Sequence, residues 1–227
     1  MLKNLSLFEK LALTYCSVFT LLGFIWSYVD HDSFKLYYVM EDGFTEWSTV
    51  VFLLIGVFVC FRRVWLLKDQ RPLLFLFMTS LLGLFFFFGA GEEISWGQRI
   101  LNVESSEFFT QNNAQGETNF HNLVVNDTKL NKVIFGRGIG ILLLLYLAVL
   151  IPLYKRKEGV KLFLDKFAVP IAQNYQILAY VLLLILVQVL MASSKKGEML
   201  EFAGSIIFLL NVTYPYNKSN FEAQDKA

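Results

Sequence analysis

Residues 73–99 read LLFLFMTSLLGLFFFFGAGEEISWGQR and combine two contrasting properties. Residues 73–90 are almost entirely apolar, and an apolar run of about 20 residues is long enough to cross a lipid bilayer as a helix. The nine residues that follow include two adjacent glutamates, a tryptophan, a glutamine and an arginine. The stretch therefore predicts a transmembrane helix that ends in a polar site.

The composition of the whole chain also indicates a membrane protein. Of its 227 residues, 56% are hydrophobic and 16% are aromatic, which is more than a soluble domain of this size needs for one core. An all-α polytopic bundle is predicted, with about six transmembrane helices at residues 11–29, 46–61, 73–90, 133–154, 177–192 and 200–212. Residues 1–212 then form a single transmembrane domain with an outer loop at 102–132, and residues 213–227 form a polar cytoplasmic tail.

The basic residues give the predicted orientation. Short loops rich in lysine and arginine stay in the cytoplasm, and residues 62–71 and 155–166 are two such loops. Placing both inside puts both termini in the cytoplasm. The outer segments then carry seven basic and thirteen acidic residues, whereas the inner segments carry thirteen basic and six acidic residues. An outer face with this acidic excess argues against nucleic acid as a partner, because nucleic-acid binding requires a basic surface.

Four polar stretches lie at the predicted outer ends of the spans. They are MEDGFTEW (40–47), GAGEEISWGQR (89–99), NAQGETNFHN (113–122) and KKGEMLEFAGS (195–205). Each acid in them could simply be a helix cap or a solvated surface group. However, ionisable groups at membrane depth are costly and usually face a protein interior or a water-filled cavity. We therefore predict that the four stretches meet in one pocket that opens outward.

Spacing suggests how the side chains in this pocket are arranged. If the third span continues as a helix, Glu92, Trp96 and Arg99 lie on one face. Ser95 can replace Trp96 in this row, and Glu93 points about 100° away. On a helix, Glu117 and His121 would stand at i and i+4, a spacing that lets a carboxylate and an imidazole share one metal ion or one proton.

These patterns give three sets of candidate site residues. The candidate catalytic residues are Glu92, Glu93, Arg99, Glu117 and His121. The candidate ligands of a divalent metal ion, which would activate water, are Glu92, Glu117, His121 and Glu201. The candidate supporting residues are Glu46, Ser95, Gln98, Asn119, Asn122 and Glu198.

The motifs EDGFTEW, GEEISWGQR and QGETNFHN, with the late acidic helix start, resemble a family of multi-pass bacterial membrane proteins to which no substrate is assigned. The resemblance covers most of residues 40–210 and implies a shared fold and site in the bacterial inner membrane. The pair Glu92–Glu93 is also similar to the glutamate pair of CAAX-processing-type intramembrane proteases. That likeness implies an arginine two residues nearer to the pair than Arg99, and histidines on later helices, which this sequence lacks.

Two classes of function remain open. The first is a hydrolase or transferase, metal-assisted or acid–base, that acts on a lipid or lipid-linked substrate, with Arg99 holding a phosphate or carboxylate. The second is a non-enzymatic membrane subunit: an ion-pathway component, a sensor or a partner-binding scaffold with an outer cation-binding cluster. The inner halves of the spans offer little polar lining beyond Thr79, Ser80 and Gln188, which disfavours a complete ion path. The predicted partners are membrane lipids, a second copy of the chain or another membrane subunit.

Overall fold

The computed structural model describes residues 5–125, 128–130 and 138–223, and the regular secondary structure of this part of the chain is helical apart from one short hairpin. The helices are α1 (Leu7–Val29), α2 (His31–Ser33), α3 (Phe44–Leu67), α4 (Leu73–Glu93), α5 (Gln98–Leu101), α6 (Glu107–Asn112), α7 (Ile139–Leu145), α8 (Ile151–Arg156), α9 (Glu158–Lys166), α10 (Asn174–Leu183) and α11 (Lys196–Thr213). Further helical turns are π-helical (Phe34–Tyr38, Tyr146–Leu150 and Leu184–Leu190) or 3-10 (Ser95–Gly97 and Lys218–Asn220). Strands β1 (Val124–Val125) and β2 (Thr128–Lys129) pair antiparallel.

Within the described ranges, four helical stretches are long and apolar enough to cross a membrane. They are Leu7–Val29, Phe44–Leu67, Leu73–Glu93 and Ile139–Arg156. The fifth predicted span corresponds to a shorter apolar helix, Asn174–Leu190, and the sixth corresponds to α11. Residues 133–137 of the fourth predicted span lie outside the described residues. The prediction of an all-α fold with several helices able to span a membrane is therefore confirmed.

The ends of the long helices follow from local sequence. The Ser6 hydroxyl accepts a hydrogen bond from the backbone N–H of Glu9 (3.2 Å), and the Glu9 carboxylate accepts one from the backbone N–H of Ser6 (2.8 Å). This reciprocal cap satisfies two N–H groups at the start of α1. Pro72 precedes the first residue of α4, where its fixed φ suits the start of a helix and its missing N–H costs nothing.

The centre of the bundle is α11, which packs against α1, α3 and α10. Met199, Phe202 and Ile206 on this helix are completely buried. In contrast, large apolar side chains on the surrounding helices α3 and α4 are exposed, for example Phe58 (65%) and Leu73 (82%). Such extensive exposed apolar surface is rare on soluble monomers and is expected of helices that face lipid.

The C-terminal segment packs against the ends of α3, α4 and α11. Arg63 donates a hydrogen bond to the carbonyl of Thr213 (2.8 Å), one of the carbonyls that the end of α11 leaves without a helical partner. The ring of Phe221 contacts the ring of Phe75, with centroids 5.3 Å apart. Residues 214–223 of the predicted cytoplasmic tail therefore belong to the packed bundle, and residues 224–227 lie outside the described ranges.

The site lies at the opposite end of these helices. Since α3 starts at Phe44, α4 ends at Glu93 and α11 starts at Lys196, the packing of α3 against both α4 and α11 brings these three helix ends together. The basic residue Arg63 is at the other end of α3. The acidic and basic ends of the bundle are thus separated by the length of the long helices.

Candidate functional site

All four polar stretches contribute to one small pocket. Its lining consists of Glu41, Glu46, Glu92, Glu93, Arg99, Gln115, Glu117, Asn119, His121, Asn122 and Glu198. The cavity volume is about 30 Å³, which is room for one or two water molecules or one small chemical group. Segments distant in sequence therefore bring their acids to a common place, and the geometry divides these acids into two groups.

The chain reverses direction directly after α4. Ser95, Trp96 and Gly97 have φ angles of 48°, 55° and 77°, so three consecutive residues adopt the left-handed conformation. Glycine adopts it freely, whereas the side chains of the other two make it cost about 1–2 kcal/mol per residue. The helix does not continue through Arg99, the condition for a common face of Glu92, Trp96 and Arg99, because α4 ends at Glu93 and Arg99 lies on the separate helix α5.

The tight turn folds Trp96 back onto the end of α4. A Cβ atom at Gly91 would lie only 2.8 Å from the indole ring, so the ring occupies the space that a side chain would need. The indole Nε1–H donates a hydrogen bond of 2.8 Å to Oε1 of Glu92. The absence of a side chain at Gly91 therefore leaves room for the Trp96 ring, and Trp96 supplies one of the hydrogen-bond donors to Glu92.

Glu92 links α4 to the outer loop. Its Oε2 accepts hydrogen bonds from the backbone N–H groups of Phe120 (2.7 Å) and His121 (2.9 Å). With the indole of Trp96, three donors satisfy a carboxylate that is only 3% exposed. Hydrogen bonds to a buried charge are individually strong. The predicted catalytic acid and metal ligand Glu92 thus has both oxygens occupied.

Residues 113–122, within the loop predicted to be the outer loop, are not helical, so Glu117 and His121 do not share the predicted helical spacing. The loop is closed by a bridge between Asn113 and Leu123. The Asn113 amide donates to the carbonyl of Asn119 (2.9 Å), and its oxygen accepts from the backbone N–H of Gln115 (2.8 Å). The asparagines therefore form the internal frame of the loop.

Arg99 joins three segments of the site. Its guanidinium lies 2.7 Å from Glu117, 2.8 Å from Glu46 and 2.9 Å from Asp42. Burial alone would lower the pKa of Arg99, but the hydrogen bond and the charge of Glu117, with those of Glu46 and Asp42, raise it. Three carboxylates already surround this cation, which leaves it little attraction for the phosphate or carboxylate that the sequence assigned to it.

Four of the predicted supporting residues complete the hydrogen-bond network around Glu92, Arg99 and Glu117, and we call this network the frame. Ser95 donates its hydroxyl hydrogen bond to Oε2 of Glu117, and Asn119 donates to the Ser95 hydroxyl (2.8 Å). Gln98 accepts from the backbone N–H of Thr118 at 2.7 Å. The side chain of Asn122 donates to the side-chain oxygen of Gln115. Glu46, the fifth, accepts from Arg99 and from the backbone N–H of Asp42 (3.1 Å).

The remaining acids form a second group with a different environment. Glu93, one position after Glu92, interacts electrostatically with Glu198, Glu46 and Glu92 rather than with any cation. Among the described residues, no hydrogen-bond donor contacts its carboxylate. Glu201 interacts electrostatically with Glu93, Glu198 and the ammonium of Lys195, and Glu198 lies 3.4 Å from the same ammonium. We call Glu93, Glu198, Glu201 and His121 the open group.

His121 belongs to both parts of the site. Its backbone N–H donates to Glu92, whereas its ring Nε2 lies 3.7 Å from Oε1 of Glu201. Burial lowers the pKa of the imidazole, and the charges of Glu198 and Glu92 oppose this effect only partly. The ring is therefore mainly neutral at pH 7, and a neutral imidazole can both donate and accept a proton.

The predicted metal ligands do not assemble into a metal-binding group. In residues 5–125, 128–130 and 138–223, no three His, Cys, Asp or Glu side chains are placed to hold a metal ion. Glu92 and Glu117 have their oxygens engaged by protein donors, and only His121 and Glu201 approach each other. The prediction of a bound divalent metal thus receives no support from these residues.

No protein-family model, no curated protein and no solved structure matches this chain. The resemblances to the bacterial membrane protein family and to the CAAX-processing-type proteases therefore stay predictions. Three residues that the sequence analysis did not select have clear positions in the site: Asp42 on Arg99, Asn113 in the loop frame and Gln115 in the pocket lining. All three occur within the four polar stretches, and their amide and carboxylate groups were the available signal.

Proposed function

We propose that this protein is a multi-pass enzyme of the bacterial inner membrane that performs acid–base chemistry on the headgroup of a lipid or lipid-linked substrate. In this proposal six helices cross the membrane, both termini are cytoplasmic and the pocket opens to the outer leaflet. Glu93, Glu201 and His121 carry protons, while Glu92, Arg99 and Glu117 hold the pocket together.

The proposed orientation is supported by the separation of charge along the bundle. The C-terminal segment lies against basic side chains, including Arg71, which donates to the carbonyl of Ser219 (2.9 Å), and Lys155, whose ammonium is 5.1 Å from the ring of Tyr216. Basic residues concentrate on the cytoplasmic side of membrane proteins. The acidic pocket at the opposite ends of the same helices would then face outward.

The acid–base chemistry is supported by one arrangement above all: Nε2 of His121 lies 3.7 Å from Oε1 of Glu201, and Glu201 interacts electrostatically with Glu93. Like charges at short range favour a state in which one carboxyl keeps its proton and the other is ionised. Such a pair supplies a general acid and a general base in one site. The neutral ring of His121, 3.7 Å from Glu201, is placed to pass a proton between substrate and carboxylate.

A lipid-type substrate is supported by the location of the pocket. The ends of the apolar helices α3 and α4 form its walls, and the lipid-facing surface of these helices continues from the pocket. A cavity of about 30 Å³ can take a reacting group but not a whole lipid. The headgroup would therefore enter the pocket while the chains remain in the membrane.

The experiment uses the purified full-length chain in vesicles that contain phosphatidylethanolamine, phosphatidylglycerol and a prenyl diphosphate. Lipid mass spectrometry follows the appearance of headgroup products. We expect Glu93→Gln, which keeps the shape and removes the charge, to reduce the rate by at least ~100-fold. Glu107→Gln is the matched control, because Glu107 is exposed in the outer loop and bonds only to Gln111 in the described chain. Equal rates in the two variants would contradict the proposal.

A non-enzymatic cation-binding subunit is the second candidate, and the surplus of carboxylates in the pocket favours it. A conduction path is not supported, since the hydroxyls of Thr79 and Ser80 donate to the carbonyls of Phe75 (2.8 Å) and Leu76 (2.9 Å) on their own helix. The candidate is therefore a one-sided cation site. Failure of the wild-type protein to form any product in the vesicles above, while a cation binds and Glu93→Gln abolishes that binding, would favour it.

A further inference from the structure

A second, larger cavity lies beside the acidic pocket, on the surface between α1 and α3. Its volume is about 520 Å³, within the range of ~300–1,000 Å³ that is usual for small-molecule sites. The lining residues are Tyr15, Asp42, Gly43, Phe44, Trp47, Ser48, Val51 and Phe52. We call this cavity the side groove.

The side groove is apolar along most of its length. From Phe44 to Phe52 it follows α3 over a rise of about 12 Å, away from the end of the bundle. The hydroxyls of Tyr15 and Ser48 hydrogen-bond to each other at 2.8 Å, so these two polar groups in the wall already have a partner. Trp47 and Val51 are 41% and 52% exposed, which leaves the groove open to the surrounding lipid.

The end of the side groove at Asp42 adjoins the acidic pocket. Asp42 lines the groove, and its Oδ1 is 2.9 Å from Arg99, which lines the pocket. At this junction one guanidinium faces the three carboxylates of Asp42, Glu46 and Glu117. The local charge is therefore negative, and it favours a cation over a phosphate at the mouth of the groove.

We propose that the side groove binds one acyl chain of a membrane lipid whose headgroup ends in an ammonium group, and so presents that group to the acidic pocket. This inference rests on the proposed function, because it names the substrate class of the same site. The apolar wall accommodates the chain without a desolvation cost, because lipid tails are as apolar as the side chains that they contact. The carboxylates at the mouth select the headgroup.

The test measures quenching of tryptophan fluorescence by lipids that are brominated in one acyl chain. The full-length protein is placed in phosphatidylglycerol vesicles with a small, fixed fraction of brominated phosphatidylethanolamine or, separately, brominated phosphatidylglycerol. The signal of Trp47 in the groove is the difference between wild type and Trp47→Phe. Trp65, which is 68% exposed on the same helix and outside the groove, is isolated in the same way as the control for bulk lipid.

We expect phosphatidylethanolamine to quench Trp47 with about threefold higher apparent affinity than phosphatidylglycerol, as one exposed charge pair allows. Trp65 should not distinguish the two lipids. Val51→Phe fills the groove and should remove the preference, and Asp42→Asn should reduce it. Leu54→Phe is the matched control, because Leu54 is 46% exposed on α3 and does not line the groove.

Equal quenching of Trp47 by the two lipids, or an unchanged preference in Val51→Phe, would overturn the inference. A preference for phosphatidylglycerol would assign the groove to an anionic lipid and would overturn it as well. The readout needs no turnover, so selective binding without any headgroup product would contradict the proposed enzyme and leave the lipid site standing.

Discussion

Glu92 and Glu93 are neighbours in sequence, yet their environments differ in almost every respect. Glu92 accepts three hydrogen bonds, from Trp96, Phe120 and His121. Glu93 faces other carboxylates and receives no hydrogen bond from the described residues. Because successive residues on a helix point about 100° apart, the last turn of α4 directs one acid into the outer loop and the other toward α11.

The difference shows that the density of acids at this end of the bundle has two separate causes. One group, with Glu92, Glu117 and Glu46, holds the outer loop against α3 and α4 through Arg99 and backbone amides. In the open group, Glu93 receives no hydrogen bond from the described residues and interacts with other carboxylates. A buried ionisable group in such an environment is costly to maintain, and function can explain that cost. Stability should therefore depend on the first group and activity on the second.

The largest expected effect comes from neutralising the two neighbouring acids in turn. Glu92→Gln replaces an acceptor by an amide that cannot accept from both sides, so one buried N–H loses its partner. We expect this variant to lower the free energy of unfolding by ~2–3 kcal/mol, or roughly 5–10 °C in thermal unfolding in detergent. Glu93→Gln should leave the transition unchanged or raise it, because it removes repulsion. A reversal of the two results would show that the assignment of Glu92 to the frame is wrong.

Composition and periodicity were sufficient to predict the helices and the segments that line the pocket. The apolar runs predicted helices that the structure has, and polar stretches at consistent ends of these runs predicted which segments line the pocket. The hydropathy of α11 was the least informative, because Lys196, Glu198 and Glu201 interrupt its first turns. Its central position depends on burial of Met199 and Phe202 by three neighbouring helices, which no local pattern reports.

The division between the frame and the open group could not be predicted from the sequence. It depends on the left-handed turn at 95–97, which separates Arg99 from the face of Glu92. A single positive φ at Gly97 is expected for glycine, but serine and tryptophan in the same conformation are not. Likewise, Glu117 and His121 were assigned to one helical face, whereas the loop frame around Asn113 directs them to Arg99 and to Glu201.

A smaller effect on stability is expected from substitution of Gly91, near the end of α4, with Gly89 as the control. In Gly91→Ala the new Cβ would lie 2.8 Å from the Trp96 ring, whereas in Gly89→Ala it would lie 3.4 Å from Leu53, an ordinary contact. Gly91→Ala should therefore displace the indole from Glu92 and cost ~1–2 kcal/mol. Gly89→Ala, on the same helix, should cost less than about 0.5 kcal/mol. Thermal unfolding and tryptophan emission are measured for both variants. Equal losses of stability would show that the position of Trp96 does not depend on the space at Gly91.

The smallest effect concerns His121, whose backbone belongs to the frame and whose ring belongs to the open group. Burial lowers the pKa of the ring below 6.5, so an unfolded chain binds a proton here at a higher pH than the folded protein does. Stability from this group is therefore complete above pH ~6.5 and is lost as the pH falls below that value.

Comparing wild type with His121→Gln at pH 7.5 and pH 5.5 isolates this contribution, because every other titrating group is present in both proteins and the backbone bond to Glu92 remains. Wild type should lose more stability than the variant at the lower pH. If instead wild type gains relative to the variant, the imidazolium is paired with Glu201 strongly enough to outweigh its burial. In that case the ring would tie α11 to the outer loop, and the open group would itself contribute to the frame.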